Sequence, residues 1–516
     1  MAFSGPPDFI LTNARVLTMD EQRPRAGAVA VRDGRILWVG STAQLTTSGW
    51  WNVRNFDCAG GSLLPGFHDA HIHLLSCASS ALAVDCRPSS VSSIRDIRRQ
   101  IGERASRTPQ GEWIRAWGYD ETSLEDRRHP TRRDLDYATQ QSPVRLDHRS
   151  AHASVLNSLA LEQVGIGDSF PEPPGATVER ELDTGMPSGV LLEMQGFLDG
   201  KTNSHTNDEL ESSIKAVSGS LLKQGVTSVQ DATQYNSVSR WDYFTDARER
   251  VGAMPRITLM PGYRNIPQFV ERGLTFGSGT PVQRVGHSKI MVTASSGHLT
   301  PDKRELSHMV RESGEADFPV AIHAVEAEAV RSAAEAISSV SDLTGIGGPH
   351  RIEHASECPP EVLLDVVRSS ALVVTQPAFV LQSGDRYLST VDDGLLPYLY
   401  RIRSLTENGV AVAFGSDAPT GEPNPMLGIS SAVARMTESG RVLAGEERIC
   451  ILDALKAYTS ESAFAAGLQS QIGKIKPGML ADMVLFDEDI TQCPLERVGT
   501  VHPVMTFLGG AVVWES

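Results

Sequence analysis

The strongest constraint in this sequence is an apolar segment that ends in two histidines, His71 and His73. Residues 63–73 predict a short strand that passes through a Pro-Gly kink before it reaches them. Side chains two residues apart in an extended backbone point to the same side, so both imidazoles leave one face of one strand end. That geometry suits a metal ion, although an isolated pair is more often two hydrogen-bonded polar groups beside a loop. The other strands decide between these interpretations.

Seven further apolar runs have strand character, and segments with helical periodicity separate them. The runs cover residues 226–231, 256–260, 288–293, 320–323, 351–354, 372–376 and 412–417, and the helical segments include 208–224, 302–316, 326–339 and 359–368. Strands that alternate with helices predict an α/β fold with a parallel sheet. Eight such units predict a (β/α)8 TIM barrel.

Short alternating strands occupy both ends of the chain, and the Asp33-Gly34 pair between two of them predicts a hairpin. We expect residues 1–61 and 467–516 to form one small β-sandwich domain beside the metal-dependent barrel of residues 62–466. The gap from residue 74 to 215 is too long for a simple connection between a strand and a helix. We interpret it as an insertion after the first barrel strand that roofs the active site.

Residues able to bind a metal end several of the predicted strands. They are His71, His73, His323, His354 and Asp417, with Lys289 on the fourth strand. Each alone has a structural explanation, as a core histidine, a helix cap or a lysine that reaches solvent. The carboxyl ends of barrel strands converge on one mouth, so these residues would meet there. Imidazoles and a carboxylate predict Zn²⁺ or a similar divalent ion.

Lys289 needs a separate explanation, because a charged lysine would be repelled by a dication. Burial lowers the pKa of a lysine, and a neutral amine can add CO₂ to become an anionic carbamate. Our hypothesis is that carboxylated Lys289 bridges two Zn²⁺ ions. Metal-bound hydroxide would attack a carbonyl-like carbon, with Asp417 as general base and then acid. Asp417, Lys289 and His354 are the predicted catalytic residues.

Motifs at both ends and in the middle of the chain resemble the amidohydrolase superfamily. They lie at residues 29–36, 64–73 and 472–484, and residues 131–136, 225–232 and 415–419 are similar to the YtcJ-like branch, which includes N-substituted formamide deformylases. The resemblance implies a (β/α)8 barrel with a β-sandwich made from both chain ends. It also implies metal ligands at His71, His73, Lys289, His323, His354 and Asp417.

Four residues are candidates for substrate contact: His152 and the aromatic Trp117 and Tyr119 of the insertion, and Gln376 at the seventh strand end. The expected activity is hydrolysis of amide-like C–N bonds, in an N-substituted formamide, an N-acyl amine, a carbamate or a cyclic amide. A metal-dependent deaminase or decarboxylase of a small (hetero)aromatic substrate is the alternative. A non-catalytic scaffold would be expected to lose ligands, and this chain keeps them all.

The composition of the chain restricts the kinds of molecule that it is expected to bind. The 516 residues carry a net charge of −16 and no basic stripe, which argues against nucleic acid or an anionic membrane and leaves a small-molecule substrate. Six scattered cysteines favour a reduced setting over a disulfide framework. The sequence has no 18-residue apolar run and no secretory leader pattern, so we expect a cytoplasmic protein. The candidate oligomeric state of the protein is a homodimer.

Overall fold

The computed structural model describes residues 5–45, 50, 52–173, 175–198, 201–202, 205–294, 297–340 and 347–516. The chain divides into two compact units. The first consists of Met1–His73 together with Lys215–Ser516, and the second is Leu74–Ile214. The predicted metal ligands all belong to the first unit.

Eight strands of the first unit, numbered β1 to β8 here, correspond to the eight strands predicted from the sequence. They are β1 Phe67–Ile72, β2 Val226–Asp231, β3 Arg256–Leu259, β4 Ser288–Met291, β5 Val320–Ala324, β6 Arg351–His354, β7 Leu372–Thr375 and β8 Val412–Phe414. Their ladders form two sheets rather than one closed barrel. Strands β4 to β8 are parallel and lie in chain order, while β1, β2 and β3 are parallel in a second sheet. Gln283–Val285 and Gly279–Thr280 extend that second sheet beyond β3.

The segment predicted as one strand through His71 is divided in the structure. Ser62–Pro65 pairs antiparallel with Met483–Leu485 in a sheet of the chain ends, and β1 begins afresh at Phe67. Gly66 lies at the junction, where a Cβ would come within 2.2 Å of the Thr227 hydroxyl oxygen. Only a glycine permits this close approach to β2.

The helices that separate these strands agree closely with the periodicity of the sequence. Four predicted helices are found at Asn207–Lys223, Lys303–Glu315, Ala327–Ser338 and Pro360–Ser369. The Asp302 carboxylate accepts a hydrogen bond from the Glu305 amide and so caps the second of them. Buried apolar residues line one face of each of the last three helices.

Strands from both chain ends form two further sheets in the first unit. In sheet order, one consists of Arg35–Gly40, Ala28–Arg32, Phe9–Thr12 and Arg54–Asp57, and the other of Ala511–Glu515, Met505–Leu508, Met483–Leu485, Ser62–Pro65, Arg15–Leu17 and Arg25–Ala26. The predicted hairpin is present, with Asp33 and Gly34 both at positive φ. Buried residues from both sheets share one apolar core, in which the Phe9 and Phe507 rings stack.

The second unit has its own six-stranded sheet and its own apolar core. The strands, in sheet order, are Thr177–Arg180, Pro187–Leu192, Ala153–Leu156, Val144–His148, Ile114–Tyr119 and Val84–Asp85. Its helices are Leu74–Leu82, Ile94–Ala105, Arg132–Ala138, Ser158–Val164 and Gln195–Leu198. A complete hydrophobic core within this unit explains why so long an insertion is folded.

The remaining helices belong to the first unit. They are Thr42–Leu45, Val238–Val251, Ile266–Glu271, Ala378–Thr390, Ile402–Glu407, Pro425–Ala434, Ile451–Ala457, Ser460–Ala465 and Leu495–Val498, with 3-10 turns at Tyr263–Asn265, Leu396–Tyr398 and Gly445–Glu447. Among the described residues, no helix combines the length and apolar character that crossing a bilayer requires. The six cysteines form no disulfide bond with one another in the described part of the chain.

Candidate active site

The carboxyl ends of β1, β6 and β8 bring four of the predicted ligands together. The His73 Nε2 atom lies 3.1 Å from the Asp417 Oδ1 atom, and the His71 Nε2 atom lies 3.5 Å from the same oxygen. The His354 ring centre is 4.8 Å from that of His71. One carboxylate oxygen therefore faces several imidazoles, as a shared metal site requires.

Each of these imidazoles is held by its other nitrogen. The Nδ1 atom of His73 lies 2.9 Å from the Thr233 hydroxyl, and that of His354 lies 2.7 Å from the Gln376 side-chain oxygen. The Nδ1 atom of His71 contacts the Glu353 carboxylate. Such partners fix the ring orientations, and the Nε2 atoms of His71 and His73 face Asp417, to which His73 is hydrogen-bonded.

Asp69, which the sequence analysis did not single out, ties the β1 end to the segment that carries Asp417. Its Oδ1 atom accepts hydrogen bonds from the backbone amides of His71, at 3.1 Å, and Ser416, at 3.0 Å. Its Oδ2 atom accepts from the Ser416 hydroxyl at 2.5 Å. The Asp417 amide in turn donates to the His71 carbonyl at 2.8 Å. The relative position of His71 and Asp417 is therefore fixed by the backbone and not by the side chains alone.

Three residues of the site have left-handed backbone conformations. The φ angles are 70° at His354, 45° at Ala355 and 55° at Asp417. Non-glycine residues rarely adopt this region, and clusters of such residues occur at functional sites. The strained turns aim the side chains of His354 and Asp417 at the shared centre.

Electrostatics keep the site in the protonation state that binds metal. Burial lowers the pKa of His71 to about 3, and burial also lowers the pKa of His354, so both imidazoles are neutral at pH 7. Burial tends to raise the pKa of Asp417, but the hydrogen bond with His73 and the nearby imidazoles hold that pKa below its ordinary value. Neutral imidazoles and an ionised carboxylate are the forms that coordinate a cation.

Lys289 is fully enclosed on β4, with its side chain 2% exposed. Burial lowers its pKa to about 8, against the opposing effects of Glu353 and Asp417. The Lys289 charge itself depresses the pKa of His71, which places the amine within electrostatic reach of the ligands. A lysine with this pKa is partly neutral near physiological pH.

His323, on β5, is the last of the predicted metal ligands. Its ring centre lies 4.5 Å from that of His354, in an edge-to-face arrangement. The structure therefore brings His71, His73, His323, His354 and Asp417 to one end of the parallel strands. Their role as metal ligands remains a prediction.

A buried ion pair, Arg351–Glu353, contacts the His71 ring at its Nδ1 atom. The sequence analysis did not identify this pair. Arg351 and Glu353 are both inaccessible to solvent, and the Arg351 guanidinium donates to Glu353 at 2.5 and 2.9 Å. Arg351 also donates to the Gln230 side chain and the Ala70 carbonyl. Burial tends to raise the pKa of Glu353, but Arg351 and His71 hold it well below the ordinary value. A detectable signal was present, since two charged residues alternate along a strand that is otherwise buried.

The substrate-contact candidates fall into two groups. Gln376 lies in the first unit and holds His354 through its oxygen, while its amide nitrogen is buried and has no hydrogen-bond partner among the described residues. Trp117, Tyr119 and His152 lie in the second unit. Tyr119 belongs to the apolar core of that unit, and the His152 Nδ1 atom contacts Glu193 at 2.9 Å. Substrate contact remains a prediction for all four.

The residues present fit a divalent metal ion. The imidazoles, the ionised Asp417 and the outer hydrogen bonds from Glu353, Thr233 and Gln376 match the donor set and the surroundings of metal sites in proteins.

Comparisons with known proteins find similar chains that extend over nearly the whole length of this one. Among curated proteins, N-substituted formamide deformylase of Arthrobacter pascens is 26% identical over 98% of this chain and 98% of its own length. The putative amidohydrolase YtcJ of Bacillus subtilis (strain 168) is 26% identical over 97% of this chain and 98% of its own.

A solved structure, that of an uncharacterized metal-dependent hydrolase from Pyrococcus horikoshii OT3, has the same fold. Its TM-score is 0.75 at 21% identity, over 95% of this chain and 99% of that one. A model of an imidazolonepropionase-like composite domain of bacteria matches only residues 27–48, whereas the amidohydrolase family model matches residues 54–514. Because that longer match covers most of the chain, including strands β1 to β8, the chain belongs to the amidohydrolase family.

Proposed function

We propose that this protein is a metal-dependent hydrolase of amide-like C–N bonds and that N-substituted formamides are its first substrates to test. The observation that carries the proposal is the buried centre in which the His71 and His73 Nε2 atoms face the Asp417 carboxylate. The full-length similarity to an N-substituted formamide deformylase supports the choice of substrate. N-acyl amines, carbamates and cyclic amides share the same reacting carbonyl and form the wider class.

We propose Zn²⁺ as the ion, held by His71, His73, His323, His354 and Asp417, with Lys289 as a bridging ligand if two ions bind. A bound divalent ion lowers the pKa of water toward neutrality and polarises a carbonyl oxygen. Nitrogen-rich donor sets favour zinc over magnesium or calcium.

The protein's own residues would manage the proton and orient the substrate. Asp417 is ionised and faces the centre, so it can accept a proton from the attacking water and return it to the leaving nitrogen. The unpartnered Gln376 amide nitrogen can donate a hydrogen bond to a substrate carbonyl. Glu353 holds the His71 ring throughout and does not itself need to transfer a proton.

We also infer that the two parallel sheets are arcs of a single eight-stranded barrel. The Lys289 amide donates to the Pro261 carbonyl at 2.8 Å, which links the residues after β3 to β4. The Asp417 amide donates to the His71 carbonyl, which links the residues after β8 to β1. These contacts support closure at both gaps, and eight parallel strands joined by helices favour that arrangement.

The substrate proposal is tested by supplying the zinc-loaded protein with N-alkyl and N-aryl formamides and the matching acetamides. We expect formate and free amine in equal amounts from the formamides, and slower release of acetate from the acetamides. Release of ammonia from a ring amidine, with no formate from any formamide, would contradict the proposal and favour a deaminase.

Carboxylation of Lys289 is expected to depend on pH in a defined direction. With the pKa lowered to about 8, the neutral amine accumulates above that pH and is lost as the pH falls below it. Between pH 6.5 and 8.5 the neutral fraction rises roughly 25-fold. Only the neutral amine can attack CO₂, forming an N–C bond and releasing one proton.

We therefore expect ¹³C-labelled bicarbonate, added with Zn²⁺ to metal-free protein, to give a carbamate ¹³C NMR signal at pH 8.5 and much less at pH 6.5. The Lys289→Met variant is the control and should give no signal. A wild-type protein that binds zinc fully and shows no carbamate at pH 8.5 would rule out the carboxylated lysine.

A further inference from the structure

A second group of potential metal ligands lies within the unit Leu74–Ile214. The strands Ile114–Tyr119 and Val144–His148 are parallel neighbours, with Tyr119 paired to His148. Asp120 and Glu121 follow the end of the first strand, and His148 is the last residue of the second. Parallel strands end at the same edge of a sheet, so the three side chains meet there. One ligand atom from each lies within 4.8 Å of the others.

His148 is the best evidence that this edge binds something. Its side chain is 6% exposed, and its Nε2 atom is buried. The buried Glu121 Oε2 atom lies 2.9 Å away, at ion-pair distance, and this contact with His148 lowers the pKa of Glu121 to about 2. Either a proton on His148 or a divalent cation can hold these two atoms together, because metal binding displaces such a proton.

The surroundings are arranged as they are around bound metals. The His148 Nδ1 atom accepts a hydrogen bond from the Ser150 backbone amide at 3.1 Å and lies 2.7 Å from the Ser150 hydroxyl, so the ring is held with Nε2 facing Glu121. Asp120 is anchored by Thr122 on one oxygen and by Arg149, at 3.1 Å, on the other. Each carboxylate oxygen has a second lone pair that remains available.

A further imidazole and the local charge also favour a cation. The His129 Nδ1 atom lies 3.9 Å from Glu121 Oε2 and 2.9 Å from the Tyr119 hydroxyl. Burial lowers the pKa of His129, so this ring is neutral at pH 7. Arg149 pairs with Asp120 at 3.1 Å, and Glu121 adds a second carboxylate at the same edge. The net negative charge attracts a dication.

We propose that Asp120, Glu121 and His148 form a second metal site, separate from the centre at β1 and β8, which binds one divalent transition-metal ion such as Zn²⁺. A mixture of imidazole and carboxylate ligands suits zinc and its neighbours in the first transition row. The competing arrangement is an ion pair between protonated His148 and Glu121. The two arrangements differ in whether removing these side chains changes the metal content.

The experiment compares zinc bound per chain, by elemental mass spectrometry after dialysis against buffered Zn²⁺, in the wild type and in the double variant Glu121→Gln, His148→Gln. We expect the double variant to bind one ion fewer than the wild type. The matched control is Glu125→Gln, an exposed carboxylate in the same loop, which should bind as many ions as the wild type. Equal zinc content in the wild type and the double variant would overturn the proposal.

A second measurement avoids dependence on the folding of the variant. Crystals of the full wild-type chain, soaked in Zn²⁺, should show an anomalous scattering peak at the zinc edge between Glu121 and His148. A peak at the β1 and β8 centre with none between these two residues would also overturn the second site.

Discussion

Asp417→Asn is expected to lower kcat/KM by about 10³-fold, because asparagine can neither take up a proton nor supply a ligand charge. Asparagine is the right replacement for two structural reasons. It matches the size of aspartate, and it tolerates the left-handed backbone of residue 417, whose φ is 55°. Alanine at that position would add backbone strain to the chemical change. The fold should therefore remain intact while turnover is lost.

The measurement is steady-state hydrolysis of the best formamide, with zinc content and thermal unfolding recorded for the same preparation. Asp393→Asn serves as the control, since Asp393 is an exposed carboxylate of the same size. It should leave kcat/KM within about twofold of the wild type, because surface changes away from a site are nearly neutral. Near-wild-type turnover in Asp417→Asn would show that the reaction does not require this carboxylate.

Much of the candidate site could be predicted from the sequence because strand periodicity and strand ends are local properties. His71 and His73 share a face because they are two residues apart. His323, His354 and Asp417 were predicted because each follows a short apolar run, and parallel strands bring such ends together. Local patterns therefore predicted which residues gather, without any knowledge of distances.

The residues that the sequence analysis missed act through contacts between distant strands. Asp69 accepts hydrogen bonds from Ser416, and Glu353 contacts His71, although hundreds of residues separate the members of each pair. Such pairings depend on strand register, which a single sequence does not specify. The division of the first strand at Gly66 has the same origin, since it depends on a close contact with Thr227. Closure of the parallel sheets likewise depends on tertiary geometry and not on periodicity.

Glu353→Ala is expected to reduce the free energy of unfolding by about 3–5 kcal/mol, because it leaves a buried arginine without its counter-charge. Arg351 is wholly inaccessible to solvent and cannot turn outward. Its remaining bonds, to the Gln230 side chain and to the Ala70 and Ala465 carbonyls, are to neutral acceptors. The same change removes the acceptor for the His71 Nδ1 atom, so zinc affinity should fall by roughly 10- to 100-fold.

Urea unfolding and competitive zinc titration separate these two effects when Glu353→Gln is measured beside Glu353→Ala. Glutamine keeps an acceptor for His71 but loses the charge, so it should retain more zinc affinity than alanine. The exposed pair Arg403–Glu407, with side chains 50% and 60% exposed, provides the control, because Glu407→Ala should cost less than about 1 kcal/mol. If Glu353→Ala were no more destabilising than Glu407→Ala, the Arg351–Glu353 pair would have no role in holding the site. A large loss of stability with unchanged zinc affinity would instead show that Glu353 stabilises the fold without orienting the His71 ring. The hydrogen bond from the His71 backbone amide to Asp69 would then be the contact that positions His71.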